Sequence, residues 1–467
     1  MTQTIAIVGA NLCGWLTAAA LVRRLPRATY RVLVVDSGTD DDGLGHFAPV
    51  ITVPPALAAF HAEIGLDPAT LMRTGCGHAL GVAFGGWRSD AAAAFLSYGE
   101  TGAPFQGIAF RQLAGRLRAA GRSVRLADHA LAAVAAQAGR FAPDTAIPHA
   151  VHLPVDRYTA VLRTIALRSG AVLADAPFAS GTIDPRGIVE TLTLADGARV
   201  APLLVLDCSG SAALIAAQTA PAWIDWSAWL PCDRTRSVVV PAEGAPPPYT
   251  QVDAQDHGWT ATWPLDGVDV RLSCHVGGEG QALRPGRRVE AWRGNCIALG
   301  AAAGVLEPLH PTALTLLVRG LAQLIQLWPA DRHAPIEATA FNHATAAAIE
   351  GARDFLVAHY ATAGRAGAFW DACRAAPLPE RVAAKRDLFA ARGRLPMFDE
   401  EPFEEEDWAA MFDAMGLVPR RHDARAARVA VDTIERHLAD NRTRIIAQVR
   451  TLPPYAQAIA TLRSHAA

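Results

Sequence analysis

Hydrophobic positions at the start of the chain come in two short β-branched runs separated by a longer apolar stretch. Residues 4–8 (TIAIV) predict a buried strand. Residues 9–14 (GANLCG) form a glycine-bearing turn, and residues 15–25 are apolar at nearly every position, as in a buried helix. The second run, residues 30–35, ends on Asp36. Strand, glycine turn, helix and strand in that order predict a βαβ unit of dinucleotide-binding type.

Further along, residues 55–64 predict a helix, 80–84 a strand, 109–120 an amphipathic helix, 155–169 another helix and 171–174 a strand. Residues 188–193 and 199–200 flank Asp196-Gly197 as a hairpin. A strand over 203–207 runs into Cys208-Ser209-Gly210. The stretch 223–269 is rich in proline and tryptophan and reads as a β platform, with alternating strands near 233–240 and 269–275. A strand over 296–299 leads through Leu306-Glu307-Pro308-Leu309 to a helix starting near Thr312, with Pro311 in its first turn. The N–H groups of that start, at Thr312 and Ala313, predict an anion site. Beyond Ala313 the period is helical, with segments at 337–360, 365–373, 380–391, 405–415 and a long one at 423–449.

The expected fold is therefore α/β. A discontinuous Rossmann-like core, which also carries part of the substrate platform, spans residues 1–222 and 284–335, a β platform is inserted at 223–283, and a helical subdomain occupies 336–467. In the first turn Gly9 permits the tight bend and Gly14 the close approach of helix and strand, and Asp36 is placed for a ribose hydroxyl. Asn11 stands where such turns usually carry their middle glycine, and it sets a side chain in the path of the pyrophosphate.

Charge and cysteine usage narrow the class further. Forty-three basic residues against 45 acidic give a net charge of −2, which offers no footprint for nucleic acid. The seven cysteines are scattered, with no CxxC pair, so neither a zinc site nor a disulfide framework is expected. The amino terminus has no basic signal-peptide region and no apolar run reaches membrane-spanning length, so a cytoplasmic protein is expected. Lys385 is the only lysine; arginine carries nearly all the positive charge.

A series of motifs carries a resemblance across most of the chain. They include IVGANLCGW at 7–15, Ser97-Tyr98-Gly99 with Gly102, Pro104 and Gly107, Leu206-Asp207-Cys208-Ser209-Gly210, and Gly258-Trp259. Gly294-Asn295-Cys296 through Glu307-Pro308-Leu309, Arg353-Asp354-Phe355, His359-Tyr360 and Phe369-Trp370 continue it. In this set and order the chain resembles the flavin-dependent tryptophan halogenase family, within the wider group of FAD monooxygenases. The resemblance implies FAD, reduced by a separate flavin reductase, held by Gly9, Asn11, Gly14, Asp36, Ala48, Gly300 and Leu309. It implies a halide near Thr312 and Ala313, a small aromatic or peptide substrate near Trp259 and Trp263, and a homodimer by family precedent. In such enzymes oxidised halide reaches the substrate by way of a lysine, with a nearby glutamate assisting.

At those two positions the chain departs from the family pattern. The lysine falls on Ala79 and the glutamate on His310. The family's Trp-x-Trp-x-Ile-Pro reads Trp259-Thr260-Ala261-Thr262-Trp263-Pro264. An alanine offers neither charge nor hydrogen bond, so it does not replace lysine. His310 is a candidate acid or base, with His78 and His46 as weaker candidates. Three functions stay open: an oxygen-using FAD oxidoreductase without ordinary halogenation, a halogenase that orients its oxidant by other means, and a flavin-binding or partner protein without turnover.

Overall fold

The computed structural model describes residues 2–74, 77–90, 94–143, 147–265 and 267–466. Contacts divide them into two compact units. One comprises residues 1–74, 153–233 and 280–351, the other 75–152, 234–279 and 352–467.

The first unit is built on a six-stranded sheet in which β1 (Gln3–Val8) lies between Leu204–Asp207 and β2 (Tyr30–Val35). The pairs Ile5↔Leu204 and Ile5↔Val32 are both parallel, and Cys296–Ala298 and Val172–Leu173 extend the sheet on either side. Its central residues, Ile5 to Val8 and Val32 to Val35, are buried, as continuous β-branched runs in a parallel sheet require. The expected βαβ opening is present: α1 (Leu12–Arg24) joins β1 to β2 and buries every residue from Leu12 to Val22. Arg23 and Arg24 lie in its last turn, where the helix dipole favours cations. Two small three-stranded sheets, within residues 178–200 and 223–305, also belong to this unit. The hairpin across Asp196-Gly197 is formed as expected, with Leu192↔Val200 in register.

In the second unit the strands Arg234–Pro241, Val268–His275, Gly258–Pro264, Thr250–Gln255, Gly81–Gly85 and Ala94–Ser97 lie side by side in that order. The β platform therefore draws two strands from before residue 100. Thr250–Gln255 pairs in parallel with Gly81–Gly85, and residues 77–152 group with these platform strands in the second unit. The remaining residues of this unit are mainly helical. The long helix expected over 423–449 is broken into Ala424–Ala427 and Val431–Thr451, and a further helix, Tyr455–Ala466, follows. Among the described residues no helix is long and apolar enough to cross a membrane.

Candidate flavin site and the positions around it

The turn after β1 explains both of its glycines. Gly9 has φ +132°, and a Cβ there would strike the Cys208 carbonyl. A Cβ on Gly14 would strike the Gly9 carbonyl oxygen. Helix and sheet therefore approach to a distance only glycine permits. Asn11 does not stand across the turn as expected from its side chain alone. Its Oδ1 accepts from the Gly14 N–H at 3.0 Å as the N-cap of α1, and its Nδ2 donates to the Cys208 carbonyl at 2.8 Å. Two internal hydrogen bonds fold the side chain back against the sheet, so it ties the turn together.

The strand end opposite is held by Asp207. Its carboxylate is fully buried and accepts from Ser209 N–H and Oγ, from Ile215 N–H at 2.9 Å and from Ala216 N–H at 2.7 Å. Asp36, at the end of β2, accepts from the Gly38 N–H at 3.0 Å and lines a cleft of about 510 Å³ with Ala10, Trp15, Arg163, Ala174 and Pro177. The Arg163 guanidinium lies 5.8 Å from the Trp15 ring centre.

The segment after Asp36 is folded onto the start of α1. The Cys13 N–H donates to the Asp42 carbonyl at 3.1 Å, and the Ala301 N–H to the Gly43 carbonyl at 2.9 Å. Gly300, at φ +59°, leaves room for that carbonyl. Asp42 accepts from Leu44 and Gly45 N–H groups at 2.7 and 2.9 Å, yet burial raises its pKa to about 6. Gly9, Asn11, Gly14 and Gly300 are thus brought into one knot, with Asp36 on the adjoining cleft. Ala48 and Leu309 are buried outside it, and their link to the cofactor rests on the resemblance.

The second glycine-containing turn differs from expectation in detail. The helix runs Thr312–Gln326, with Pro311 as its N-cap residue rather than inside the first turn. The Thr312 N–H, one of the two expected to hold an anion, donates to the His310 carbonyl at 2.7 Å. The His310 side chain is buried, 8% exposed. Glu307 is fully buried, and its Oε1 accepts from the Cys232 N–H at 3.1 Å. His46 is buried too, and burial holds its pKa at about 4.

In the second unit, Ala79 closes the strand Gly77–Ala79 opposite Ala150 and is 0% exposed. Its neighbour His78 exchanges backbone hydrogen bonds with the Tyr455 hydroxyl at 2.8 and 3.1 Å. Burial first, then the His149 and His152 charges, hold the His78 pKa at about 3, so this imidazole stays neutral. Trp259, 1% exposed, donates its indole N–H to the Tyr360 hydroxyl at 2.8 Å; Trp263 lies four residues on in the same strand and is also buried. Lys385 is 0% exposed. It donates to the Pro396 carbonyl, pairs with Glu401 at 3.1 Å and lies 4.8 Å from the Trp408 ring centre. The single lysine is thus committed to its own surroundings.

The features that suit an adenine dinucleotide are glycines that let helix and strand close together, a capped helix, and an acid beside an adjoining cleft. A parallel sheet carrying these features defines a dinucleotide-binding, Rossmann-like fold. A sequence profile described as tryptophan halogenase matches residues 4–271 and 270–431, and the chain belongs to that family of FAD-dependent enzymes. Among solved structures it is similar to BrvH, a flavin-dependent halogenase from Brevundimonas sp. BAL3. The two are 31% identical with a TM-score of 0.92, over 99% of each chain. Xcc4156, a flavin-dependent halogenase from Xanthomonas campestris, is 29% identical with a TM-score of 0.90, over 99% of this chain and 98% of that one. The tryptophan 6-halogenase ThaL of Streptomyces albogriseolus is 26% identical over 90% of both chains. The match to the 7-chloro-L-tryptophan 6-halogenase KtzR of Kutzneria sp. (strain 744) is 28% identical and spans 45% of that protein's length.

Proposed function

We propose that this protein is an FAD-dependent oxidoreductase that uses oxygen to modify an electron-rich aromatic substrate without the family's lysine relay. The observation that carries the proposal is the alanine at 79. It is fully buried in a paired strand, and the only lysine is enclosed with Glu401, Pro396 and Trp408. A cation to hold and orient an electrophilic halogen is therefore missing where the family keeps it. FAD, once bound and reduced by a separate flavin reductase, supplies the oxygen-activating chemistry. The chain's own part in the first unit is to bind and orient: Gly9 and Gly14 let helix and strand close together beneath the dinucleotide, Asn11 and Asp207 fix the backbone of the two turns, and Asp36 is placed for the ribose.

His310 is the residue assigned to proton transfer, since the resemblance places it at the family's glutamate position and an imidazole ring can accept and donate a proton. A second reading, a reduced-FAD-dependent halogenase of an indole-like substrate, draws on the likeness to BrvH. The Ala313 N–H would then contribute to a halide site.

One experiment separates the two. The purified protein receives reduced FAD, air and either bromide or no halide, with indole as the aromatic probe, and products are identified by mass spectrometry. Oxygenated product independent of bromide supports the proposal, and brominated indole supports the halogenase. A protein that fails to bind FAD overturns both.

A further inference from the structure

Arg288 is a buried cation of the first unit, 7% exposed at the end of the strand Gly286–Arg288. Its Nε donates to the Ala302 carbonyl at 3.0 Å, and its Nη1 to the Ala216 and Ala220 carbonyls at 3.3 and 2.6 Å. The guanidinium carbon stands 6.0 Å from the centre of the Trp223 ring. Burial pulls the Arg288 pKa down, and the Asp207 carboxylate opposes that shift. Enclosing a charge costs free energy that carbonyl acceptors only partly offset, and apolar residues of similar volume are often at least as stable in such a place. What the arginine adds is the placement of the carbonyls it holds, because its planar fork donates in several fixed directions at once.

Those carbonyls belong to the segments that follow two neighbouring parallel strands. Ala216 and Ala220 bound the short helix after Leu204–Asp207, and Ala302 ends the turn Gly300–Ala302 after Cys296–Ala298. Ala216 is gripped from both sides: its N–H goes to Asp207 at 2.7 Å and its carbonyl to Arg288. The Arg288 backbone N–H donates to the Ala303 carbonyl at 2.8 Å, so main chain and side chain hold the same segment. From there the Ala301 N–H reaches the Gly43 carbonyl, beside the start of α1. In open parallel sheets a ligand lies beyond the carboxyl ends of the strands, and both segments leave the sheet at those ends.

We propose that Arg288 is a positioning residue for the flavin: acting through Ala216, Ala220 and Ala302, it fixes the spacing of the two strand-end segments against which the cofactor binds. The proposal rests on the FAD-binding reading above.

The test is FAD binding by the full-length chain, followed by flavin fluorescence and by the absorption band of the bound cofactor. Arg288→Met keeps an apolar stem and removes the guanidinium; it is expected to weaken FAD binding about tenfold and to displace the band. Arg288→Lys keeps the charge but offers one ammonium, which does not serve Ala302 and the Ala216–Ala220 side together. It is therefore expected to bind FAD as weakly as the methionine variant. Lys385→Met, which breaks a buried ion pair in the second unit, is the control for lost stability alone, with thermal melting to rank the variants. Equal loss of FAD affinity in Lys385→Met and the Arg288 variants overturns the proposal, because the effect would then be general. Full FAD affinity in Arg288→Lys overturns it too, since a charge alone would suffice. Unchanged affinity and an unmoved band in folded Arg288 variants overturn it while leaving the flavin reading in place. Where Arg288→Met does not fold, Arg288→Lys against Lys385→Met decides on the same terms. A wild-type chain that binds no FAD removes the flavin reading itself, and the positioning role with it.

Discussion

Asn11→Ala tests whether the non-glycine residue in the first turn is a tie or an obstacle. The substitution removes the acceptor that caps the Gly14 N–H at 3.0 Å and the donor to the Cys208 carbonyl at 2.8 Å. Loss of an N-cap costs about 1 kcal/mol, and loss of one partly buried hydrogen bond about another 1 kcal/mol. The sum is about 2 kcal/mol. In a cooperative body of roughly 150–250 residues this lowers the melting temperature by about 4–8 °C. Asn11→Asp keeps the cap and adds a charge that the helix N-terminus favours, but turns an acceptor toward the Cys208 carbonyl. It should therefore fall between Asn11→Ala and wild type. Differential scanning calorimetry gives the shifts, and a parallel FAD titration should show the alanine variant binding more weakly, because the turn loosens. A melting temperature for Asn11→Ala within 1 °C of wild type, together with tighter FAD binding, would refute the tie and restore the view that this side chain obstructs the cradle.

Three further outcomes follow from buried polar groups. Tyr360→Phe removes a partner of the Trp259 indole N–H, both side chains being 1% exposed, and should destabilise the chain by about 1–2 kcal/mol, read as a lower denaturation midpoint. Stability should also fall in mild acid: His46, His61 and His359 are held at about 4 and His78 at about 3, chiefly by burial, against 6.5 when unfolded. Each is neutral in the folded chain, so the unfolded chain binds more protons and stability declines as pH drops from 6.5 toward 4, which melting curves across that range would show. Lys385→Met leaves Glu401 buried without its 3.1 Å partner and should lower the melting temperature by several degrees while sparing FAD affinity; a loss of FAD binding in a folded variant would contradict a purely structural lysine.

Much of the fold was legible because its signals are local. β-branched runs, the Gly9–Gly14 turn and the acid at 36 define the βαβ unit without help from distant residues, and the helix over 155–169 and the Asp196-Gly197 hairpin follow the same logic. The β platform was only half visible. Its parallel pairing of Thr250 with Val82 joins segments far apart in sequence, and no periodicity announces such a partner. The break in the helix expected over 423–449 was missed because its apolar positions keep helical spacing across the interruption. At the site, residue types could be named but not their engagements. Asn11 read as an obstruction until its two hydrogen bonds were seen. Thr312 read as a free donor until the His310 carbonyl was seen to take its N–H. The alanine at 79 is the opposite case. The sequence alone exposed it, and the structure buries it completely in a paired strand.

The central claim is that a flavin cradle is present and the lysine relay is not. The most direct measurement compares the unmodified chain with Ala79→Lys, each given reduced FAD, air, bromide and indole, with brominated product quantified by mass spectrometry. The account predicts FAD binding by both, no brominated indole from the unmodified chain, and brominated indole only once the lysine is supplied. Brominated indole produced by the unmodified chain over many turnovers would contradict it.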